Sequence, residues 1–173
     1  ASQPVRLSIQ PAKGGAPEDE IVTPEQFVNV LLKAHDRWVA QRAELTGQLS
    51  KGRLGYIHIG LMDTKNYQSF VHNLYGRYGS KEAVIIDIRF NGGGNLSERL
   101  IADLSAKSPG KTYDREGNVL AVLPTARWTK PSALIANSWS YSDGSLLPHY
   151  YKHAKLGPFI GEPVPGTGTS VWW

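Results

Sequence analysis

Apolar positions along this chain follow two rhythms that alternate. Short apolar runs, at Tyr56–Ile59, Ala83–Ile88, Val119–Leu123, Ser132–Ala136 and Gly157–Gly161, read as strands. Between them, Tyr67, Phe70, Val71, Leu74 and Tyr78 recur at helical spacing, as do Leu96, Leu100, Ile101 and Leu104. A further helix is expected from Gly144 to about Lys155. Strands alternating with amphipathic helices predict an α/β domain of packed layers. The N-terminal part reads differently. Val5–Ile9 alternates apolar and polar like a half-buried strand without a neighbouring partner, and Pro11–Glu20 reads as a Gly/Pro/acidic linker. Thr23-Pro24-Glu25-Gln26 then combines a cap, a proline at the first helical position and a capping-box glutamine. The stripe Phe27, Leu31, Ala34, Trp38 carries that helix to about Leu45.

The strongest local pattern is Ala83–Gly94. Val84, Ile85, Ile86 and Ile88 predict a strand buried on both faces, and it runs into Asn91-Gly92-Gly93-Gly94. Without Cβ atoms, glycines let the backbone turn tightly or approach a ligand. Asn95 is expected to cap the following helix, with Glu98 at the capping-box position. A strand, a glycine run and a helix start together aim backbone N–H groups at an anion. The run Ser132–Ala136 ends similarly in Asn137–Gly144, where Ser142 falls at the foot of a helix. First-turn amides there can stabilise an oxyanion formed when a serine attacks a carbonyl, although Ser142 or Asp143 serves equally well as a plain N-cap. Pro109-Gly110 ends the third helix, and Tyr113–Gly117 is expected to be a loop.

Composition narrows the classes. The chain has 173 residues, is 40% hydrophobic and carries a formal net charge of +4, enough for one sizeable core plus appendages. Its basic residues are scattered, which argues against a nucleic-acid partner. There is no cysteine, so disulfides and thiolate metal sites are excluded, and no apolar run approaches the roughly 20 residues of a membrane helix. No metal or cofactor is expected. The chain starts without Met and ends on Trp172-Trp173, which reads as a segment of something longer.

Four motifs in order, GYIHI (55–59), VIIDIRFNGGG (84–94), KPSALIANSWSYSDG (130–144) and LGPFIGEPVPGTG (156–168), resemble the tail-specific, C-terminal-processing serine peptidases of family S41, in particular their tricorn branch. The resemblance covers about Trp38–Trp173. It implies a ClpP/crotonase-like sheet-and-helix fold over residues 23–173, truncated at its C-terminus, with residues 1–22 as the end and linker of a preceding PDZ-like domain. It implies Ser142 as nucleophile, the amides of Gly94 and Asp143 as oxyanion hole, Gly92 and Gly93 as substrate-binding backbone, and Asp114 as a residue favouring basic side chains. Peptides or unfolded proteins would be the substrates, and a homo-oligomer the assembly. A cytoplasmic location is expected, with the periplasm as the alternative. Many tail-specific enzymes carry a catalytic lysine where Thr167 stands here, so the resemblance points to the tricorn arrangement, in which a histidine acts as base with a supporting glutamate. Both would lie outside this segment.

None of the five histidines fits the base. His149 lies seven residues past Ser142, about 10 Å along a helix axis, and His153 lies further. His35, His58 and His72 read as surface or packing residues. The isolated segment is therefore expected to be inactive. Asp87 and Arg89 read as a structural ion pair. Trp128, Trp139, Trp172 and Trp173 read as core residues or as lining for a peptide groove. Two other readings stay open: a non-catalytic relative that binds peptides through the same cleft, and a crotonase-like acyl-CoA enzyme.

Overall fold

The structure is a computed structural model that describes residues 3–169. The chain divides after Gln41 into two compact units. The first begins with an antiparallel hairpin of β1 (Val5–Ile9) and β2 (Glu18–Val22), in which Val5 faces Val22 and Ile9 faces Glu18. The expected linker thus supplies the partner strand that the sequence pattern lacks. Glu18-Asp19-Glu20 shows no apolar run, and pairing with β1, reinforced by an Arg6–Asp19 ion pair, makes it extended. β1 is exposed throughout, so the half-buried reading does not hold.

Helix α1 (Phe27–Leu49) starts three residues past the predicted first turn, and Asn29 N donates to Gln26 O at 2.9 Å in place of a Thr23 cap. None of its residues is buried, and two members of the expected stripe, Phe27 and Leu31, are 74% and 52% exposed. Periodicity located the helix correctly but not a buried face.

The second unit is built on four parallel strands in the order β3 (Leu54–His58), β4 (Ala83–Asp87), β7 (Ser132–Ala136) and β8 (Phe159–Gly161). Between β3 and β4 runs α2 (Thr64–Val71), capped by Asp63 through Asn66 N at 2.8 Å and continuing as a π-helical turn over His72–Arg77. α3 (Ser97–Ser105) follows β4, and α4 (Asp143–His153) follows β7. One core joins the sheet to these helices: Ile57, Val84, Ile86 and Leu134 from the strands meet Phe70, Leu74, Leu100, Leu147 and Tyr151. Parallel strands joined in sequence by helical crossovers put the helices on one face. The other face is only partly covered, since Ile85 and Ile135 are half-buried, so burial of β4 on both faces is incomplete. Trp128 is a core residue at 5% exposure, whereas Trp139 is 72% exposed; Trp172 and Trp173 lie outside the described residues.

A hairpin of β5 (Gly110–Tyr113) and β6 (Val119–Leu123) stands apart from this sheet. β5 occupies the stretch expected to be a helix break and the start of a loop. Its four residues are all exposed, and only β6 holds them extended. No helix among the described residues is long and apolar enough to cross a membrane.

The last residue of β4 carries a buried charge. Asp87 is fully buried, and its carboxylate accepts the Tyr56 hydroxyl at 2.7 Å and the Arg89 guanidinium at 2.5 Å. Burial pushes the Tyr56 phenol well above its usual range, and bonding to Asp87 pushes Arg89 up as well. This is the structural pair the sequence suggests, with Tyr56 as an unanticipated third member. Tyr56→Phe is expected to cost about 2 kcal/mol, because a buried carboxylate loses one of its donors. Urea denaturation checks it; an unchanged midpoint would show that Arg89 alone satisfies Asp87.

Candidate active site

In an all-parallel sheet every strand ends on the same edge, and the exits of β3, β4 and β7 meet there. Beyond β4, Asn91 is fully buried and acts as a hub. Its Nδ2 donates to Ile59 O at 2.8 Å, its Oδ1 accepts Gly93 N at 2.8 Å, and its carbonyl accepts Tyr141 N at 2.8 Å. One residue thereby fixes the glycine run, through its side chain toward the β3 exit and through its backbone carbonyl toward the β7 exit. Asn137 and Ser140 do the same from β7. Asn137 Oδ1 accepts Phe90 N at 3.1 Å and Trp139 N at 3.3 Å, and Ser140 Oγ donates to Ile88 O at 2.8 Å.

The glycines are required by close approach. A Cβ on Gly93 would lie 2.6 Å from the Ser142 Cβ and 3.2 Å from its Oγ. A Cβ on Gly94, whose φ is +137°, would run into the Met62 carbonyl. Met62 N donates to Gly93 O at 2.8 Å and Asn95 N to Met62 O at 2.8 Å, so the run is zipped to the β3 exit as a short parallel bridge. Gly92 packs against Leu61, where a Cβ would meet Cδ2 at 2.8 Å. The structure thus brings Gly92, Gly93, Gly94, Ser142 and Asp143 together.

Ser142 has φ 51° and ψ −123°, a strained conformation for a residue with a side chain. It occupies the N-cap position of α4, but its side chain makes no cap hydrogen bond. That sets it apart from an ordinary capping serine, whose oxygen turns back to a first-turn amide. Its Oγ has no hydrogen-bond partner among the described residues. Its amide donates to Thr167 Oγ1 at 2.9 Å, and its carbonyl accepts Ser145 N and Ser145 Oγ, both at 2.8 Å.

Asp143 is 8% exposed and joins the two helix starts. Its Oδ2 accepts Leu96 N at 2.6 Å and Ser97 N at 3.0 Å, while Ser97 Oγ donates to Asp143 O at 3.1 Å. This carboxylate caps α3 from a different helix, where the sequence suggested Asn95 and Glu98. The N-cap residue is Leu96, which has no side-chain oxygen to offer. The backbone amides of Gly94 and Asp143 donate to no acceptor among the described residues. Two such N–H groups at a helix foot can stabilise an anionic oxygen.

The histidines lie elsewhere. His149 and His153 stack with ring centroids 6.4 Å apart on the exposed side of α4, His58 Nε2 lies 3.0 Å from Arg89 O, His35 lies against Trp38, and His72 opens the π-helical turn. None of the four histidines of the second unit hydrogen-bonds Ser142. Asp114 sits at the turn of the β5–β6 hairpin, where its two carboxylate oxygens accept Asn118 N at 2.7 Å and Asn118 Nδ2 at 2.8 Å. These bonds, with the Asn118 side chain foremost, hold its carboxyl below the usual range. Asn91, Asn137, Ser140 and the Asp143 carboxylate are the site residues that local pattern missed. The available signal was a polar residue directly after a buried apolar run. A cleft of about 550 Å³ opens beside Ser145, between α4 and the segment after β8, lined by Pro148, His149, Lys152, Phe159 and Val164.

This is an α/β domain with its polar site on the carboxyl edge of a parallel sheet. Residues 53–173 match peptidase family S41, and the chain belongs to that family. Within it the similarity is to tricorn proteases. The chain is 30% identical over 162 residues to a putative tricorn protease homolog 2 of Streptomyces coelicolor, covering 94% of this chain and 14% of the relative. It is 32% identical over 165 residues to the tricorn protease of Thermoplasma acidophilum, with the same two shares, 94% and 14%. A crystal structure of the tricorn protease superposes with a TM-score of 0.68 at 30% identity, over 99% of this chain and 16% of that one. The chain thus spans about one-seventh of the length of these relatives.

Proposed function

We propose that the protein containing this chain is a serine endopeptidase that cleaves peptides or unfolded proteins through an acyl-enzyme on Ser142. The observation that carries this reading is the strained Ser142 hydroxyl, free of any cap bond, beside the two unengaged amides of Gly94 and Asp143. Ser142 Oγ attacks the scissile carbonyl carbon and gives its proton to a base, and the carbonyl oxygen becomes an oxyanion held by the two amides. The C–N bond then breaks, the amine leaves with a proton returned by the base, and water hydrolyses the ester. No histidine of the second unit hydrogen-bonds Ser142. Base and supporting acid are therefore read as coming from outside these residues, as the tricorn resemblance implies, and the isolated chain is read as inactive. The backbone of Gly93 lies beside Ser142, and with Gly92 it is read as the strip along which the substrate chain would run.

The same reading makes the second unit a ClpP/crotonase-like domain, supported by its sequential parallel βαβ crossovers. It makes residues 1–22 the end of a PDZ-like domain, supported by the bare apolar row Val5, Leu7 and Ile9 on β1, each 43–47% exposed. A homo-oligomer is part of the proposal. The test is treatment of the full-length protein with a fluorophosphonate followed by peptide mapping. Labelling at Ser142 is expected, together with peptide hydrolysis that the isolated 173-residue chain does not show. An unlabelled Ser142 would leave a peptide-binding relative without catalysis.

A further inference from the structure

Thr167 lies in the segment after β8, 25 residues beyond Ser142 in sequence, yet its Oγ1 accepts the Ser142 amide at 2.9 Å. The same Oγ1 lies 3.3 Å from Ser145 Oγ, which in turn donates to Ser142 O at 2.8 Å. The three contacts close a ring: Ser142 N–H to Thr167 Oγ1, Thr167 O–H to Ser145 Oγ, Ser145 O–H to Ser142 C=O. Each hydroxyl donates once and accepts once, so the ring satisfies itself without a charged group. It grips Ser142, a residue with a side chain and a positive φ, from both its amide and its carbonyl.

We infer that Thr167 and Ser145 are positioning residues that hold the strained Ser142 backbone in place. The inference rests on the reading of Ser142 as nucleophile. A residue at φ 51° relaxes unless its surroundings over-determine it, and relaxation would swing Cβ and Oγ away from Gly93, against which Ser142 is packed. The ring also decides which amide can serve the anion. The Ser142 N–H is committed to Thr167, which leaves the Asp143 N–H as the free donor on this side. Where dyad enzymes of the wider family place a lysine, this chain has a neutral hydroxyl whose task is geometric. The half-buried Thr167 packs with its segment along α4, where a Cβ on the following Gly168 would run into Leu146.

The experiment compares Thr167→Val, Thr167→Ser and Ser145→Ala in the full-length protein. It reads kcat and KM on a peptide, the rate of fluorophosphonate labelling at Ser142, and the melting temperature. Valine keeps the shape and removes the acceptor; it is expected to slow labelling and lower kcat by about 10- to 100-fold with KM changed less than about threefold, as for loss of one half-buried positioning bond. Thr167→Ser restores both to within about threefold, because the hydroxyl returns without the methyl group. Ser145→Ala, which breaks the ring on its carbonyl side, is expected to slow labelling by about three- to tenfold, and it carries the test if the valine variant does not fold. Labelling of Thr167→Val at the native rate, or a serine variant as slow as the valine one, overturns the inference while leaving Ser142 as nucleophile. Absence of labelling in the native protein instead removes the peptidase reading and this inference with it.

Discussion

Replacing Ser142 by alanine is expected to lower kcat/KM on peptides by at least about 10⁴-fold in the full-length protein, because an acyl-enzyme has no alternative attachment point. Stability should stay within about 0.5 kcal/mol of the native value, since the lost hydroxyl has no partner among the described residues. Ser142→Gly sharpens the test. It is equally inactive, yet glycine accepts a φ of 51° without penalty, so it should gain up to about 1 kcal/mol. An inactive protein that is more stable than the native one is what a strained functional residue produces, and urea denaturation beside a peptide assay reads both quantities. If Ser142→Ala keeps activity within about tenfold, the nucleophile is another group. If Ser142→Gly is destabilised, the conformation is held by more than the hydroxyl ring, and the strain is not stored at this residue.

The parallel sheet was legible in the sequence because burial writes it there. β3, β4 and β7 are apolar runs, since each faces the helices on one side and is at least half covered on the other. The helices between them were legible because one face of each has to meet that sheet, as Leu100 and Leu104 of α3 do. The glycine run and Ser142 were legible as types of residue at the ends of such runs. What local pattern could not carry is the hydrogen bonding that turns those ends into a site. Asn91 bonds Ile59, 32 positions away, and the Asp143 carboxylate bonds Leu96, 47 positions away. A polar side chain shows its own capacity in the sequence but not its partner, so Asn95 and Glu98 were natural candidates for a cap that α4 in fact supplies. Strands β2 and β5 were missed for a related reason: both are exposed, and each is extended only because another strand pairs with it.

Removing the Asp143 side chain should show how far the site depends on that borrowed cap. Asp143→Ala leaves Leu96 N and Ser97 N at a buried helix start without their acceptor, and a loss of about 3 kcal/mol is expected from two charge-assisted bonds. The catalytic effect should exceed what stability alone gives. Gly94 stands two residues before Leu96, and the Asp143 amide belongs to the residue whose carboxylate holds Leu96, so one side chain fixes the spacing of the two amides proposed for the oxyanion. With that tie cut, α3 and α4 remain in contact, among the described residues, through packing and the Ser97 Oγ bond to Asp143 O. A fall in kcat of about 100-fold at temperatures where the variant is still folded is expected, the size seen when one oxyanion donor is lost or misplaced. Asp143→Asn is the control. Its side-chain oxygen can still accept both amides, so it should recover most of the stability and bring kcat to within about tenfold of native. Stability and kcat measured on the two variants separate the possibilities: if alanine lowers stability but leaves kcat unchanged, the carboxylate is only a helix cap, and the spacing of the two amides is set by the glycine run and Asn91.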